Sequence, residues 1–292
     1  MISPIVGAEV LEEAGGEPTT DRLAGPPSAR RIVVADVRWY LDGRDDRSAY
    51  EAGHVPGAVF VDLDHDLSDH TQPATAGRHP LPTAEAFAAA MSRLGIGDGD
   101  TVVAYDDSGG GSAGRLVVML RWLGVDAALL DGGIAAWPGD LETGAGTARP
   151  PATFSARPWP AERFVDADEV GALAAGGAAG TVVLDARSAE RFRGESEPVD
   201  PRPGHIPGAR NAPWQDNLGA TGTFAGAEAL RARFAGLGVT EATDVVCYCG
   251  SGVSACALLL ALERAGVTRT RLYAPSWSGW SADPSRPAAV GR

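Results

Sequence analysis

The sequence predicts an α/β protein built from two consecutive domains of the same fold. Its 292 residues exceed the usual size of a single domain. Short β-branched segments alternate with helical stretches, as at residues 84–94 and 225–237, and landmarks of the first half recur in the second. This alternation predicts, in each domain, a mainly parallel β-sheet flanked by helices on both faces.

The internal repeat appears in segments that match in order along the two halves. Residues 32–38 and 181–187 are apolar strands that each end in Asp-x-Arg, and residues 53–58 and 204–209 share Gly-His-[Ile/Val]-Pro-Gly-Ala. Repeats of this length indicate whole duplicated domains. Two further pairs correspond: residues 5–11 with 164–170, and 102–106 with 245–249.

A stretch rich in Pro, Gly and Ala separates the two copies. Residues 143–162 include Arg-Pro-Pro and Arg-Pro-Trp-Pro, a composition typical of an extended linker. We therefore predict an N-terminal domain at 1–142, a linker at 143–162 and a C-terminal domain at 163–292.

Composition and charge exclude several classes of partner. The formal net charge is −13, whereas nucleic acids and anionic membranes attract basic surfaces. We expect neither as a partner. Lysine is absent, and all 25 basic residues are arginine. An anionic substrate would therefore be held by a guanidinium, which pairs with carboxylates in bidentate fashion.

The sequence favours a soluble, cytoplasmic protein. With 44% apolar residues it contains no apolar run long enough to cross a bilayer. The first residues have neither a basic start nor an apolar core, so we expect no secretory signal. The three cysteines lie within ten residues of one another, which is not the spacing of a disulfide framework.

The second copy carries a cysteine at a predicted turn from strand to helix. Asp244 to Tyr248 predict a buried strand, and the Ala/Leu run that ends at Arg264 predicts a helix. Between them the backbone amides should converge on one point, where the helix dipole adds positive charge. Cys249 lies there, so we expect a thiolate or persulfide anion to be stabilised. Gly250 and Gly252 permit the left-handed angles that turn N–H groups toward the sulfur.

The sequence of this loop, Cys-Gly-Ser-Gly-Val-Ser at 249–254, resembles the active-site loop of the mercaptopyruvate sulfurtransferases in the rhodanese superfamily. Trp-Ser-Gly-Trp at 277–280 is similar to a segment that follows the loop in that family, and the repeated Asp-x-Arg and Gly-His motifs fit as well. The resemblance implies two tandem rhodanese-like domains. It makes Cys249 the nucleophile, and it implies substrate binding by the loop residues Gly250, Gly252, Val253 and Ser254.

The first copy has an acid at the position of the cysteine. Asp106 and Asp107 stand where the second copy has Cys249 and Gly250. A carboxylate is not a sulfur nucleophile, and two acids would repel the anions that the second loop attracts. The first domain is thus expected to be catalytically silent, as it is in the family, and to supply one wall of a cleft.

Other site residues follow from the resemblance. The family's Asp-x-Asp pair corresponds to Asp62 and Asp64, and its His-x-Leu-Pro histidine corresponds to His79. Asp64 and His79 would relay a proton together with Ser251. Arg191 takes the place of the arginine that binds the substrate carboxylate. The family's second arginine falls at Val199, and Arg202, three residues later, is the candidate replacement. Arg187, His54 and His205 are predicted to be structural.

The predicted reaction moves sulfur from a small anionic donor, 3-mercaptopyruvate, to a thiol, thioredoxin or cyanide through a Cys249 persulfide. Thiosulfate sulfurtransferase is the alternative, although its loops carry cations after the cysteine and Gly250 to Gly252 are neutral. A Cys-x5-Arg phosphatase would need arginine at Ala255. A non-catalytic sulfur carrier is the other class considered.

The two remaining cysteines have weaker interpretations. Cys247 and Cys256 are expected to be core thiols, with a Cys247/Cys249 redox pair left open. Cys-x-Cys without a nearby histidine does not match a zinc site, and we expect no metal or other cofactor.

Overall fold

The computed structural model describes residues 1–13, 31–176 and 180–291. Its described residues divide into two compact units. The first comprises Met1–Leu67 and Pro82–Trp159, and the second comprises Ser68–Leu81 and Pro160–Arg292. In the described residues, no helix combines the length and apolar character needed to span a membrane.

The first unit contains a five-stranded sheet in which every strand pair is parallel. Its strands are β1 (Ile5–Val6), β2 (Ile32–Asp36), β3 (Val59–Phe60), β4 (Thr101–Tyr105) and β5 (Asp126–Leu130), in the spatial order β1-β5-β4-β2-β3. Its helices are α1 (Glu9–Glu13), α2 (Asp46–Ala52), α3 (Leu63–Asp66), α4 (Ala84–Arg93) and α5 (Ala113–Trp122).

The second unit repeats this plan with a four-stranded parallel sheet. Its strands are β6 (Thr181–Asp185), β7 (Arg210–Asn211), β8 (Asp244–Tyr248) and β9 (Thr270–Leu272), in the order β7-β6-β8-β9. Its helices are α6 (Ala167–Ala174), α7 (Ala189–Arg193), α8 (Ala227–Gly236), α9 (Ala255–Arg264) and α10 (Ser276–Ala282). The predicted α/β fold with two parallel sheets is therefore confirmed.

The duplication extends to single hydrogen bonds. Arg38 pairs with Asp36 through Nε and Nη2 and also donates to the carbonyl of Gly53. Its counterpart Arg187 pairs with Asp185 in the same way. A guanidinium held by a carboxylate two residues away is buried in each unit, because the pair removes the cost of an isolated charge.

The repeated histidines are equivalent too. Nδ1 of His54 hydrogen-bonds the carbonyl of Tyr50, and Nδ1 of His205 hydrogen-bonds that of Phe192. Each imidazole also stacks on the aromatic ring of the same partner. Both histidines thus attach their Gly-His segment to the preceding helix from inside the core.

The central strand of each unit leads into a buried helix. All five residues of β4 are buried, as are the last four of β8. Helix α9 is buried along eight consecutive residues, 255–262, which explains its Ala and Leu composition, since a helix surrounded by core needs no polar face. The strand, loop and helix around Cys249 therefore form a rigid support.

Segment 68–81 joins the second unit through close backbone contact. Gly77 has a φ of +91°, and a Cβ there would lie 2.6 Å from the carbonyl oxygen of Pro275. A Cβ on Gly279 would lie 2.6 Å from the carbonyl oxygen of Thr75. Only glycine tolerates both approaches. This segment carries His79, and its membership of the second unit is not evident from the sequence.

Candidate active site

Cys249 is the first residue after β8 and is 1% exposed. Its amide donates to Oγ of Ser276 at 3.1 Å. The carbonyl of Cys249 accepts from the amide of Trp277 at 2.9 Å, and the carbonyl of Gly250 accepts from the amide of Ser278 at 2.8 Å. The first turn of α10 therefore fixes the backbone on which the thiol is mounted.

Ser276 adopts an unusual backbone conformation at this contact. Its φ is +53°, the only positive φ of a non-glycine residue in the part of the chain that the structure describes. Its hydroxyl donates to the carbonyl of Tyr273 at 3.0 Å and accepts from Cys249. Left-handed non-glycine residues cost free energy and are often found at functional sites. Here the conformation places one hydroxyl between the ends of β8 and β9.

The loop of the first unit shows where its amides point. The Asp106 carboxylate accepts hydrogen bonds of 2.8–2.9 Å from the amides of Ser108, Gly110, Ser112 and Ala113. The Ser112 hydroxyl also donates to it, at 3.1 Å. Asp106 is fully buried. The loop is thus an anion-binding nest that the side chain of its own first residue occupies.

The second loop has the same construction with a thiol in place of the carboxylate. Ser251, Val253 and Ala255 correspond to Ser108, Gly110 and Ser112. Over residues 1–13, 31–176 and 180–291, the amides of these three residues have no protein acceptor. They are N–H groups of the kind that bind Asp106 in the first unit, which supports the expectation that the second loop stabilises an anion next to Cys249.

A buried serine–histidine pair adjoins the cysteine. Nδ1 of His79 lies 2.8 Å from Oγ of Ser251, and His79 and Ser251 are 4% and 6% exposed. A hydroxyl held by an imidazole can accept a proton on one side and release one on the other. The structure brings together three of the four predicted catalytic residues: Cys249, Ser251 and His79.

Two arginines border the loop at Gly250. A Cβ at this position would lie 3.1 Å from Nη2 of Arg78 and 3.4 Å from Nη1 of Arg191. Arg191 was predicted from the sequence, whereas Arg78 was not. The available signals were its place directly before His79 and the absence of arginine at Val199. Neither signal reveals that segment 68–81 folds against α10.

The two guanidinium groups are held by buried acids. Arg191 donates to Glu197 through Nη2 at 2.6 Å and Nε at 3.2 Å, and to Asp200 through Nη2 at 2.9 Å. Arg78 donates to the other oxygen of Asp200 through Nη1. Burial raises the pKa of Asp200, while the nearby Arg78 charge opposes that shift. The Arg191 hydrogen bond lowers the pKa of Glu197, against the opposing effect of burial.

Arg202, the other predicted anion anchor, is not part of this group. Its guanidinium donates to backbone carbonyls, and its own carbonyl accepts from the indole of Trp277 at 2.8 Å. It therefore braces the chain after α10. The accepting carbonyls are those of Trp280, Ser281, Asp283 and Arg286.

Asp64, the fourth predicted catalytic residue, belongs to the first unit. It lies in α3, whose N-terminus is capped by the Asp62 carboxylate. Its Oδ2 accepts a hydrogen bond of 3.2 Å from the indole of Trp39. Its catalytic role stays a prediction.

The other two cysteines are buried and reduced. Burial raises the pKa of Cys247 well above its usual value, and the neighbouring Cys256 and Cys249 add to that effect. The Cys256 thiol lies 3.5 Å from the carbonyl oxygen of Gly252. Cys247 is therefore a neutral core thiol.

Comparisons with known proteins agree with this geometry. Residues 19–140 and 166–283 match the rhodanese-like domain family. A Pseudomonas aeruginosa protein named probable 3-mercaptopyruvate sulfurtransferase is 43% identical, with 94% of this chain and 97% of that protein covered. The putative thiosulfate sulfurtransferase SseB of Mycobacterium tuberculosis is 41% identical, with 94% and 96% covered.

Among solved structures, SseA from Escherichia coli is described in a study of the rhodanese fold and catalytic mechanism of 3-mercaptopyruvate sulfotransferases. It is 36% identical and superposes with a TM-score of 0.77, covering 94% of this chain and 99% of that one. Two matched domains and full-length relatives lead to one conclusion: the chain belongs to the rhodanese family.

Proposed function

We propose that this protein is a sulfurtransferase that moves sulfur from 3-mercaptopyruvate to a thiophilic acceptor through a persulfide on Cys249. The observation that carries the proposal is the pair of equivalent loops. In the first, the amides bind the Asp106 carboxylate. In the second, the equivalent position holds a thiol, which can both ionise and store sulfur.

The first half-reaction transfers the donor's sulfur to Cys249. The Cys249 thiolate attacks the sulfur of 3-mercaptopyruvate, and an S–S bond forms while the C–S bond breaks. The electron pair of that bond passes to the donor's methylene carbon and gives the enolate of pyruvate, which takes up the proton that the donor's thiol sulfur carried. The loop amides stabilise the persulfide anion that remains on Cys249.

Ser251 and His79 fit the proton transfer. The hydroxyl lies two residues after the nucleophile and is held by the imidazole at 2.8 Å. A positioned acid or base of this kind contributes roughly 100- to 10,000-fold to a proton-transfer step. In the second half-reaction the acceptor, a thiol, thioredoxin or cyanide, attacks the outer sulfur and releases the Cys249 thiolate.

Arg191 fits the donor's carboxylate. Its Nη1 faces Gly250, next to the cysteine, and 3-mercaptopyruvate is short enough to place sulfur and carboxylate in neighbouring contacts. The name of the relative at 43% identity supports the same donor.

Thiosulfate is the second candidate donor, and a specific observation favours it. Although residues 250–252 are uncharged, the guanidinium groups of Arg78 and Arg191 both border Gly250, so positive charge is available for a small dianion. The relative from Mycobacterium tuberculosis carries that name. Buried Glu197 and Asp200 offset part of this charge, which is why we place mercaptopyruvate first.

Paired turnover decides between the donors. The wild-type protein is assayed with 3-mercaptopyruvate and with thiosulfate against one common acceptor, and mass spectrometry after donor treatment locates the added sulfur. We expect a higher kcat/KM for 3-mercaptopyruvate and one added sulfur on Cys249, with neither activity nor adduct in Cys249→Ser. Sulfur found only on Cys247 or Cys256, or no turnover of either donor, would refute the proposal.

A further inference from the structure

We infer that Arg78 is the second anchor of the donor's carboxylate and, with Arg191, selects donors that carry one. This inference rests on the proposed function. It assigns a binding role to a residue of segment 68–81, in the first half of the sequence. The two arginines that the sequence suggested as anchors, Arg191 and Arg202, both lie in the second copy of the repeat.

The atoms that face the loop carry the first step. The two nitrogens nearest the position of a Cβ on Gly250 are Nη2 of Arg78 and Nη1 of Arg191. Both come within 3.4 Å of that point. Since they lie on opposite guanidinium groups, one carboxylate can accept from both, with one oxygen on each.

The acids use other nitrogens of the same groups. Asp200 binds Nη1 of Arg78 and Nη2 of Arg191, and Glu197 binds Nη2 and Nε of Arg191. Within the described part of the chain, Nη2 of Arg78 and Nη1 of Arg191 have no hydrogen-bond partner. Glu197 and Asp200 therefore orient the guanidinium groups from behind and leave the N–H groups on the Gly250 side for a ligand.

Asp200 also demonstrates that the two arginines can share a carboxylate. Its side chain is 2% exposed and bridges Arg78 and Arg191. In addition, Nε of Arg78 is buried without a hydrogen-bond partner, a cost that a bound anion would reduce through its charge. Asp200 is thus a positioning residue, and the ligand would occupy the opposite side of the same pair.

The position of Arg78 explains how two arginines can border the loop although residue 199, where the family has its second arginine, is valine. Contacts between the backbone of segment 68–81 and α10 hold Arg78: its amide donates to Oγ of Ser278 at 3.0 Å. The same helix binds the carbonyls of Cys249 and Gly250. Helix α10 therefore holds the backbone of both the anchor Arg78 and the nucleophile Cys249. The distance between the two residues is set by this helix, although they are far apart in sequence.

The inference is tested by comparing three proteins on two donors that differ only in the charge of the carboxylate. Wild type, Arg78→Met and the surface control Arg44→Met are assayed with 3-mercaptopyruvate and with its methyl ester, which lacks the anionic carboxylate. We expect Arg78→Met to lower kcat/KM for the acid on the order of ten- to a hundredfold and to leave the ester nearly unchanged. Arg44, exposed and paired with Asp42, should affect neither donor.

An equal loss for acid and ester, or no loss at all, would overturn the role of Arg78. Should Arg78→Met fail to fold, Arg78→Lys keeps the charge without the fork, and the acid should still lose more than the ester. A wild type that forms no Cys249 persulfide from the acid would instead refute the proposed function, so the two failures are distinguishable.

Discussion

The loop after β4 and the loop after β8 have the same backbone plan and opposite chemistry. In the first, the Asp106 carboxylate accepts four amides and a hydroxyl. In the second, Cys249 stands at that position, and the amides of Ser251, Val253 and Ala255 are without a protein acceptor in the described residues. The fold thus supplies an anion-binding nest twice, and a single side chain decides whether the nest is satisfied internally or is available for chemistry.

The residues that surround the two loops also differ between the copies. Tyr50 and Phe192 are equivalent, because each stacks on the histidine of its own unit, so the counterpart of Arg191 in the first copy is Ala49. The counterpart of Gly250 is Asp107. An alanine therefore stands in place of the cation, and an acid stands in place of the open glycine position. Duplication therefore preserved the scaffold, including Arg38 and its counterpart Arg187, while the second copy has Arg191 and Gly250 where the first has Ala49 and Asp107.

The largest effect is expected when the second loop receives the first loop's residue. Cys249→Asp should abolish sulfur transfer completely, because a carboxylate cannot carry a persulfide. Its carboxylate should also accept the loop amides, making this variant more stable than Cys249→Ser by about 1–3 kcal/mol at neutral pH, with the gain lost in acid as the carboxylate is protonated. Turnover assays and urea unfolding measure both effects. A variant less stable than Cys249→Ser would mean that the second loop is not a nest.

A smaller loss of activity is expected at the serine that both loops share. Ser251 is paired with His79, whereas its counterpart Ser108 lies on the first loop, which we predict to be catalytically silent. Ser251→Ala should lower kcat roughly 100-fold with little change in KM, since only the proton transfer is affected. Ser108→Ala serves as the matched control and should leave both constants unchanged. Equal effects of the two variants would remove the proposed proton relay.

The smallest effect on turnover should come from the first loop itself. Asp106→Ala leaves four loop amides without an acceptor, three of them in buried hydrogen bonds, so we expect the first unit to lose about 3 kcal/mol or more of unfolding free energy. Activity per folded molecule should stay nearly unchanged. The exposed neighbour Asp107, which accepts from Tyr40 at 2.7 Å, gives the control: Asp107→Ala should cost no more than about 1 kcal/mol. A drop in turnover as deep as that of the Cys249 variants would show that the first loop takes part in catalysis.

Patterns in the sequence were sufficient to predict the duplicated α/β fold, the strand and helix around Cys249, and the structural ion pairs of Arg38 and Arg187. Those features depend on local patterns, the two-residue spacing of Asp-x-Arg and the apolar runs, which chain neighbours encode. The sequence also indicated Ser251 and His79 by family resemblance. The boundaries of the linker and the role of Asp64 stay predictions.

The identity of the arginines that meet at the loop depends on tertiary contacts. Arg202 is near Arg191 in sequence, yet its N–H groups are taken up by backbone carbonyls in and after the last turn of α10. Arg78, over a hundred residues away, reaches Gly250. The deciding contacts are the close approaches at Gly77 and Gly279, which attach segment 68–81 to the second unit. Contacts between backbones distant in sequence leave no periodic pattern along the chain, so no reading of neighbouring residues could have located them.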